Sequence, residues 1–147
     1  MDLDACVIAL PHDLHKDSTI RATESGLDVL CEKPIAKSVD EADEMIESVQ
    51  KNDALLMVAE SARYNRLIEK IGDIIKNKKI GEPVFGTWND LHKFESWGYE
   101  NRKWLNDPER AGGGHWISRG IHLISPLRNW FLSGGTGDVR KVFSTEY

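Results

Sequence analysis

Three short apolar runs, each followed by a segment of helical periodicity, constrain the fold of this chain more than any other feature. The runs are ACVIAL (5–10), LDVLC (27–31) and ALLMVA (54–59). Short, continuous apolar runs are typical of strands that are covered on both faces. Because strands that alternate with helices form parallel sheets, the first eighty residues predict a doubly wound α/β fold.

The segments between the runs carry helix start and stop signals. Residues 14–25 predict a helix that Gly26 closes as a C-terminal cap. Ser38 followed by Glu41 has the pattern of a capping box, which predicts the start of a second helix. An isoleucine-rich stripe that ends near Asn77 predicts a third helix.

The pattern changes after residue 80. Residues 83–93 mix β-branched and aromatic residues with polar ones, which predicts a strand in a one-sided sheet, and residues 139–147 predict another. Residues 94–110 are expected to form an irregular loop, and residues 117–131 have helical spacing. We therefore expect a second α/β part with an open sheet after the parallel one.

Net charge and composition exclude several classes of protein. The net charge is −5, whereas a nucleic-acid-binding protein needs a basic face. The one basic cluster follows the third predicted helix, where cations complement the helix dipole; it consists of Lys76, Lys78 and Lys79. We therefore expect no nucleic-acid partner.

Membrane and metal functions are disfavoured as well. No apolar run is long enough to cross a membrane, and the first residues lack the basic region and cleavage site of a signal peptide. We therefore expect a cytoplasmic protein without a membrane partner. Cys6 and Cys31 lie inside apolar runs without zinc-type spacing, which predicts two core thiols and no metal site.

Polar residues follow two of the predicted strands. Pro11 and His12 come after the first strand, and Glu32, Lys33 and Pro34 come after the second. Ligands of open α/β sheets bind beyond the carboxyl ends of the strands, so we expect these residues to line one crevice. A partly buried lysine has a lowered pKa and can move the proton of a reacting oxygen. The alternative is a plain charged pair at the end of a strand.

A polar stripe marks the predicted helix after the glycine run 112–114. Ser118 and His122 are four residues apart and share one helix face, and Arg119 adjoins them. Histidine can shuttle a proton near neutral pH, although a histidine that packs in the core is the alternative. Ser118 does not lie in the G-x-S-x-G turn of a serine hydrolase.

A loop rich in aromatic and polar residues suggests sugar binding, because such sites combine flat apolar faces with hydrogen-bonding groups. The alternative is a loop that packs on its own domain. The phosphate-binding G-x-G-x-x-G turn is absent from the chain. The loop residues concerned are Trp97, Tyr99, Asn101, Arg102, Trp104 and Asp107.

Taken in order, these segments resemble the glucose–fructose oxidoreductase/inositol dehydrogenase/MocA family (Gfo/Idh/MocA). ACVIALPHDLH is similar to that family's strand-Pro-x-x-x-His turn, and ESGLDVLCEKPIAKSVDEA is similar to its Glu-Lys-Pro segment. VAESARYNR, KKIGEPVFG and AGGGHWISRGIH resemble three further segments of the family in the same order. The resemblance covers nearly the whole chain.

The resemblance implies a domain division and a cofactor. Residues 1–80 would be the C-terminal part of a Rossmann-type NAD(P)-binding domain, and residues 81–147 the beginning of the substrate domain. It implies NAD or NADP, bound by Pro11, His12, His15, Glu32, Lys33 and Pro34.

The resemblance also implies a sugar or polyol substrate. Lys33 and His122 would be catalytic, and the substrate would meet Lys33, Trp104, Ser118, Arg119 and His122. A homo-oligomer formed through the second-domain sheet is expected. The chain is expected to lack its natural beginning and end, and to be inactive alone because the phosphate-binding turn is missing.

Four departures from the family pattern keep other functions open. Ser118 and Ser125 stand where the family usually has Asp, His12 where it often has Asn, and Asn65 where it usually has Pro. The loss of the carboxylate at position 118 affects the expected proton path to His122. An NAD-using glycosidase and a non-catalytic sugar- or dinucleotide-sensing regulator are therefore alternatives to a dehydrogenase.

Overall fold

The computed structural model of the chain describes residues 3–89, 102–135 and 137–143, without the side chain of residue 115. Three strands form one parallel sheet in the order β1-β2-β3. The strands are β1 (Ala5–Ile8), β2 (Asp28–Glu32) and β3 (Leu56–Ala59). The α-helices are α1 (His15–Glu24), α2 (Val39–Lys51), α3 (Arg66–Lys76), α4 (Pro108–Ala111) and α5 (Gly114–Ser133).

The chain divides into two compact units. The first unit comprises residues 1–60 and 91–121, and the second comprises residues 61–90 and 122–147. The predicted domain division at residue 80 stays a prediction. Within the described ranges, no helix is both long and apolar enough to cross a membrane.

The alternation of strand and helix predicted for the first eighty residues is confirmed. Every predicted helix of this part is present, and the signals at their ends have the expected effect. The Ser38 side chain accepts a hydrogen bond from the backbone N–H of Glu41 at 3.2 Å, as a capping residue does. Glu41 reaches back to the backbone N–H of Lys37 at 3.1 Å, one residue before the position expected for a capping box.

The expectation that the strands are covered on both faces is wrong for the two edge strands. In the register of the sheet, Val7 pairs with Leu30, which pairs with Met57, so their side chains share one face. Val7 is 69% exposed and Met57 51% exposed. The opposite face holds the core of the first unit, which includes Ile8, Val29, Cys31, Ala36 and Met45. Continuous apolar sequence does not reveal which face of an edge strand is covered.

Two predicted strands in the second half are not found where the structure can be compared. Residues 83–89 and 139–143 have no strand conformation, because β-branched composition forms a strand only when a neighbour pairs with its backbone groups. Residues 90–101 and 144–147 lie outside the described ranges. The open second sheet therefore stays a prediction.

The segment expected to be an irregular loop is partly helical. A 3-10 helix spans Lys103–Asn106, and α4 follows directly. The Asp107 side chain accepts from the backbone N–H of Glu109 at 3.0 Å, and proline occupies the first turn of α4. This combination of a capping residue and proline is a helix start signal, and it is the sequence signal that the loop assignment overlooked.

The second unit is organised around Trp130, which is 9% exposed. Its indole N–H donates to the carbonyl oxygen of Ile68 at 3.1 Å. Its ring stacks on Trp88 with centroids 5.8 Å apart. A side chain added at Gly72 would meet the ring at 3.5 Å, so the glycine allows α3 to approach the indole closely.

Candidate functional site

A cavity of 430 Å³ opens in the first unit at the carboxyl ends of β1 and β2. Six of its wall residues are among the predicted site residues, because the parallel register brings both strand ends to the same edge. The wall consists of Ala9, Leu10, Pro11, His12, Glu32, Lys33, Arg102, Trp104, Leu105 and Ser118. We refer to this cavity as the strand-end crevice.

Lys33 is the half-buried cation of the crevice. Its Nζ donates to the backbone carbonyl oxygen of Ser118 at 3.0 Å. Burial lowers the pKa of Lys33, the carboxylates of Glu32 and Glu60 oppose that shift, and the charges of Arg102 and Arg119 add to it. The amine therefore loses its proton more readily than an exposed lysine, which is the property of a proton-transferring group.

Ser118 contributes its main chain to this contact. The acceptor is the carbonyl oxygen, which any residue at position 118 would supply. The family's usual Asp is therefore not needed for this tie to Lys33.

His12 is 3% exposed and faces the crevice with a defined tautomer. Its Nδ1 lies 3.0 Å from the carbonyl oxygen of Ala111; since a carbonyl only accepts, Nδ1 carries the hydrogen. Burial lowers the pKa of His12, and the charges of His15 and Lys33 act in the same direction, against the bond to Ala111. In the neutral ring, Nε2 is then a hydrogen-bond acceptor.

His15 is completely buried, and its contact with the cofactor stays a prediction. Nδ1 lies 2.9 Å from the carbonyl oxygen of Pro34, and Nε2 lies 2.9 Å from that of Leu10. Both ring nitrogens therefore face backbone carbonyl oxygens, and the nitrogen that carries the hydrogen donates to one of them. His15 ties together the two segments that follow β1 and β2, and Pro34 contributes the carbonyl oxygen for one of these ties.

A second set of contacts holds residues 109–112 against the strand-end segments. Lys37 Nζ donates to the carbonyl oxygen of Glu109 at 2.8 Å, and Arg110 Nε donates to Asp13 Oδ2 at 2.9 Å. The ion pair lowers the pKa of Asp13. Sequence reasoning missed these residues because the partners lie 72 and 97 positions apart in the chain and have no local signal.

Gly112 allows the closest of these approaches. Its φ is +82°, and an added Cβ would lie 2.8 Å from Lys37 Cβ and 2.9 Å from the Lys37 carbonyl oxygen. Gly112 is therefore a site of close backbone approach, which a residue without a side chain allows.

The remaining predicted residues are placed as follows. Arg119 lies close enough to Lys33 to influence its pKa. His122 follows one turn after Ser118 on α5 but belongs to the second unit, so its pairing with Lys33 stays a prediction. Asp107 caps α4. Trp97, Tyr99 and Asn101 lie outside the described residues.

The residues of the crevice fit the nicotinamide end of a dinucleotide. Apolar atoms of Leu10 and Pro11 adjoin an acceptor at His12 and a donor at Lys33. The volume lies within the range of roughly 300–1,000 Å³ that is usual for ligand sites. In the part of the chain that the structure describes, no group of three or more His, Cys, Asp or Glu residues could hold a metal ion.

Comparison with known proteins shows that the chain is similar to oxidoreductases. Residues 1–60 match the model of an oxidoreductase family with an NAD-binding Rossmann fold. The chain is 30% identical over 125 residues to the NADP⁺-dependent D-xylose 1-dehydrogenase of Haloarcula marismortui, covering 85% of this chain and 35% of the relative.

Two further similarities extend the comparison. The chain is 29% identical over 139 residues to the 2,7-anhydro-N-acetylneuraminate hydratase of Mediterraneibacter gnavus, covering 91% of this chain and 34% of that relative. The fold is similar to an inositol dehydrogenase homologue from Azotobacter vinelandii in complex with NAD⁺, with a TM-score of 0.78, 28% identity and coverage of 88% and 34% of the two chains. The chain thus spans about a third of the length of these proteins.

Proposed function

This chain belongs to the Gfo/Idh/MocA oxidoreductase family, and we propose that it takes part in hydride transfer between NAD(P) and a sugar, polyol or related alcohol. The family model, which describes an NAD-binding Rossmann fold, matches residues 1–60. The observation that carries the proposal is the half-buried Lys33, whose Nζ is held at 3.0 Å by the Ser118 carbonyl oxygen inside the strand-end crevice. Ligands of parallel sheets bind at the strand ends, so a lysine there can exchange a proton with the reacting oxygen of a substrate.

The cofactor would be NAD or NADP, which supplies the hydride acceptor or donor when it is bound. Pro11, His12, Glu32 and Lys33 would hold its nicotinamide end. The relatives support both forms, since one structure holds NAD⁺ and one dehydrogenase is named for NADP⁺. The neutral His12 offers an acceptor at Nε2, which suits an amide N–H donor.

Lys33 would carry the proton of the reaction. In the oxidation direction, the neutral amine takes the proton from the substrate hydroxyl, and the carbon that bears this hydroxyl becomes a carbonyl carbon as its hydride leaves for the nicotinamide. In the reduction direction, the ammonium returns the proton. The bond to the Ser118 carbonyl oxygen fixes one N–H, so the two remaining positions on Nζ can face the substrate.

The substrate side of the site would comprise Trp104, Ser118 and Arg119, with His122 as the assisting proton carrier. We expect a sugar or polyol, a cytoplasmic location, and assembly into a homo-oligomer through a second-domain sheet. The support for the substrate class is the pair of relatives named for xylose and inositol.

A second candidate function is supported by one of the comparisons. The relative from Mediterraneibacter gnavus is named a hydratase, and the addition of water causes no net oxidation. A reaction of that type at the same crevice would still need Lys33 to move a proton, but would leave the cofactor unchanged overall.

Nicotinamide mononucleotide is a suitable probe for the proposal, because it needs only the strand-end half of a dinucleotide site. We expect its addition to the ¹³C,¹⁵N-labelled chain to shift the NMR signals of His12 and Lys33. The variant Lys33→Met should weaken binding, whereas Lys37→Met should not, since Lys37 has a similar tie to a carbonyl oxygen (2.8 Å) but does not line the crevice. Unshifted signals at saturating probe would contradict the proposal.

Turnover decides between the two candidate functions. Because the chain is expected to be inactive alone, this assay needs the chain together with the phosphate-binding part of the fold. Incubation with NAD⁺ or NADP⁺ and a panel of polyols should then raise the absorbance of reduced nicotinamide if the protein is a dehydrogenase. Conversion of a sugar without net change in that absorbance would favour the second candidate. Cofactor binding without either reaction would favour a sensor.

A further inference from the structure

The wall of the strand-end crevice has an excess of positive charge. Lys33 and Arg102 are its cations, and Glu32 is its only carboxylate among the described residues. Glu32 Oε2 accepts the backbone N–H of Lys33 at 3.1 Å. His12 adds no negative charge, and burial lowers the pKa of its ring, which favours the neutral form.

Arg102 differs from two other cations near the crevice, Lys37 and Arg110, which have carboxylate partners. Arg110 is paired with Asp13 at 2.9 Å, and Lys37 is paired with Glu41 at 3.4 Å. Across residues 3–89, 102–135 and 137–143, Arg102 forms no ion pair. It is exposed and lines the crevice, as Trp104 does.

A guanidinium group is suited to an oxyanion. Its planar fork of N–H donors matches the two oxygens of a carboxylate, and such charge-assisted bonds are stronger than neutral ones. Trp104, two residues later, supplies an aromatic surface of the kind on which sugar rings pack. Lys33 lies in the same cavity and would meet the reacting hydroxyl.

We propose that the strand-end crevice accepts a sugar acid, and that Arg102 is the specificity-determining residue that binds its carboxylate. This inference rests on the proposed function, because it assigns the substrate class of the same site. A phosphate group has the same chemistry as the carboxylate towards Arg102, so the experiment needs a separate arm for phosphate.

The test is an NMR titration of the full chain with D-glucuronate, with D-glucose as the neutral sugar and with inorganic phosphate. Glucuronate should bind about tenfold more tightly than glucose, which is the effect of one charge-assisted hydrogen bond of roughly average strength. The signals of Lys33, Arg102 and Ser118 should shift. The variant Arg102→Gln should bind both sugars equally.

Lys103→Gln is the matched control. Lys103 follows Arg102 directly and is the first residue of the 3-10 helix that Arg102 precedes as N-cap. It is exposed and does not line the crevice, and its replacement removes the same unit of charge. It should retain the preference for glucuronate. Since both positions are exposed, both variants should keep the dispersed spectrum of the folded chain.

Three results would overturn the inference: equal binding of the two sugars or no binding, equal loss of preference in both variants, or binding of phosphate without a preference for glucuronate. These outcomes are separate from the nicotinamide mononucleotide experiment. If that probe binds at Lys33 while glucuronate is not preferred, only the sugar-acid inference fails. If glucuronate binds through Arg102 while the nucleotide does not bind, the carboxylate site stands and the proposed function fails.

Discussion

Each of the two units of this protein has its own kind of stabilising contact. In the first unit, polar side chains at the strand ends bind main-chain carbonyl oxygens far away in sequence, as His12 does with Ala111 and Lys33 with Ser118. In the second unit, α3 and residues 122–133 of α5 share an aromatic centre at Trp130. Directional contacts fix the position of chemical groups, whereas apolar burial mainly stabilises the fold. The candidate site therefore depends on directional contacts between distant segments.

The largest loss of stability is expected from a substitution in the aromatic centre of the second unit. Trp130→Ala should lower the free energy of unfolding by about 3–5 kcal/mol, as is usual when a large buried aromatic side chain is lost. The bond from its indole N–H to Ile68 would be lost too. Urea unfolding measures the change.

Trp116→Ala is the control for this prediction, since Trp116 is 62% exposed and its replacement should change stability by no more than about 0.5 kcal/mol. Equal effects of the two tryptophan replacements would show that Trp130 is not the centre of the second unit.

An intermediate loss of stability is expected where two backbone segments of the first unit approach each other closely. Gly112→Ala combines a left-handed conformation with a contact of 2.8 Å to Lys37, and should cost about 3 kcal/mol in total. Gly26→Ala has a similar φ of +76° with nothing within 4 Å of the added Cβ. It should cost only about 1–2 kcal/mol.

The difference between the two glycine variants, measured by thermal or urea unfolding, isolates the close approach to Lys37. Identical losses would mean that the segment after α4 can move away from Lys37 without penalty, and that the ties of the first unit do not fix its position.

The smallest effect concerns the charge of Lys33. Because burial lowers the pKa of Lys33 in the folded chain, the unfolded chain holds more protons at this site between the two pKa values. The contribution of Lys33 to stability should therefore rise as the pH increases through the folded pKa, and level off above the ordinary value of about 10.4.

A ¹³C NMR titration of labelled lysine, in buffer and in urea, measures this shift directly. The Lys33 signal should titrate at lower pH in the folded chain. A folded midpoint equal to or above the unfolded one would remove the physical basis for its role in proton transfer.

Much of the first unit could be predicted from local patterns. The apolar runs located the three strands, and Ser38 and Gly26 marked helix ends. The grouping of Pro11, His12, Glu32 and Lys33 followed from one rule, that parallel strands end at a common edge. The second half was less predictable, since residues 83–89 have strand composition without a paired neighbour.

The role of His15 shows why part of the site could not be predicted. The family resemblance implied that this histidine binds the cofactor, and the folded chain adds contacts of 2.9 Å from its two ring nitrogens to backbone carbonyl oxygens. Arg110 and Asp13 illustrate the same limit, because their ion pair joins positions that are 97 residues apart. Local spacing contains no information on such partners.

The amino-acid sequence was sufficient to predict the order of strands and helices along the chain, the ends of most helices and the edge of the sheet at which polar residues gather. These properties depend on periodicity, capping and chain direction, which act over a few residues. The covered face of the sheet and the carbonyl oxygen that holds Lys33 became evident only in the folded chain. Those properties depend on desolvation and on hydrogen bonds between distant segments, and both arise only when the chain has folded.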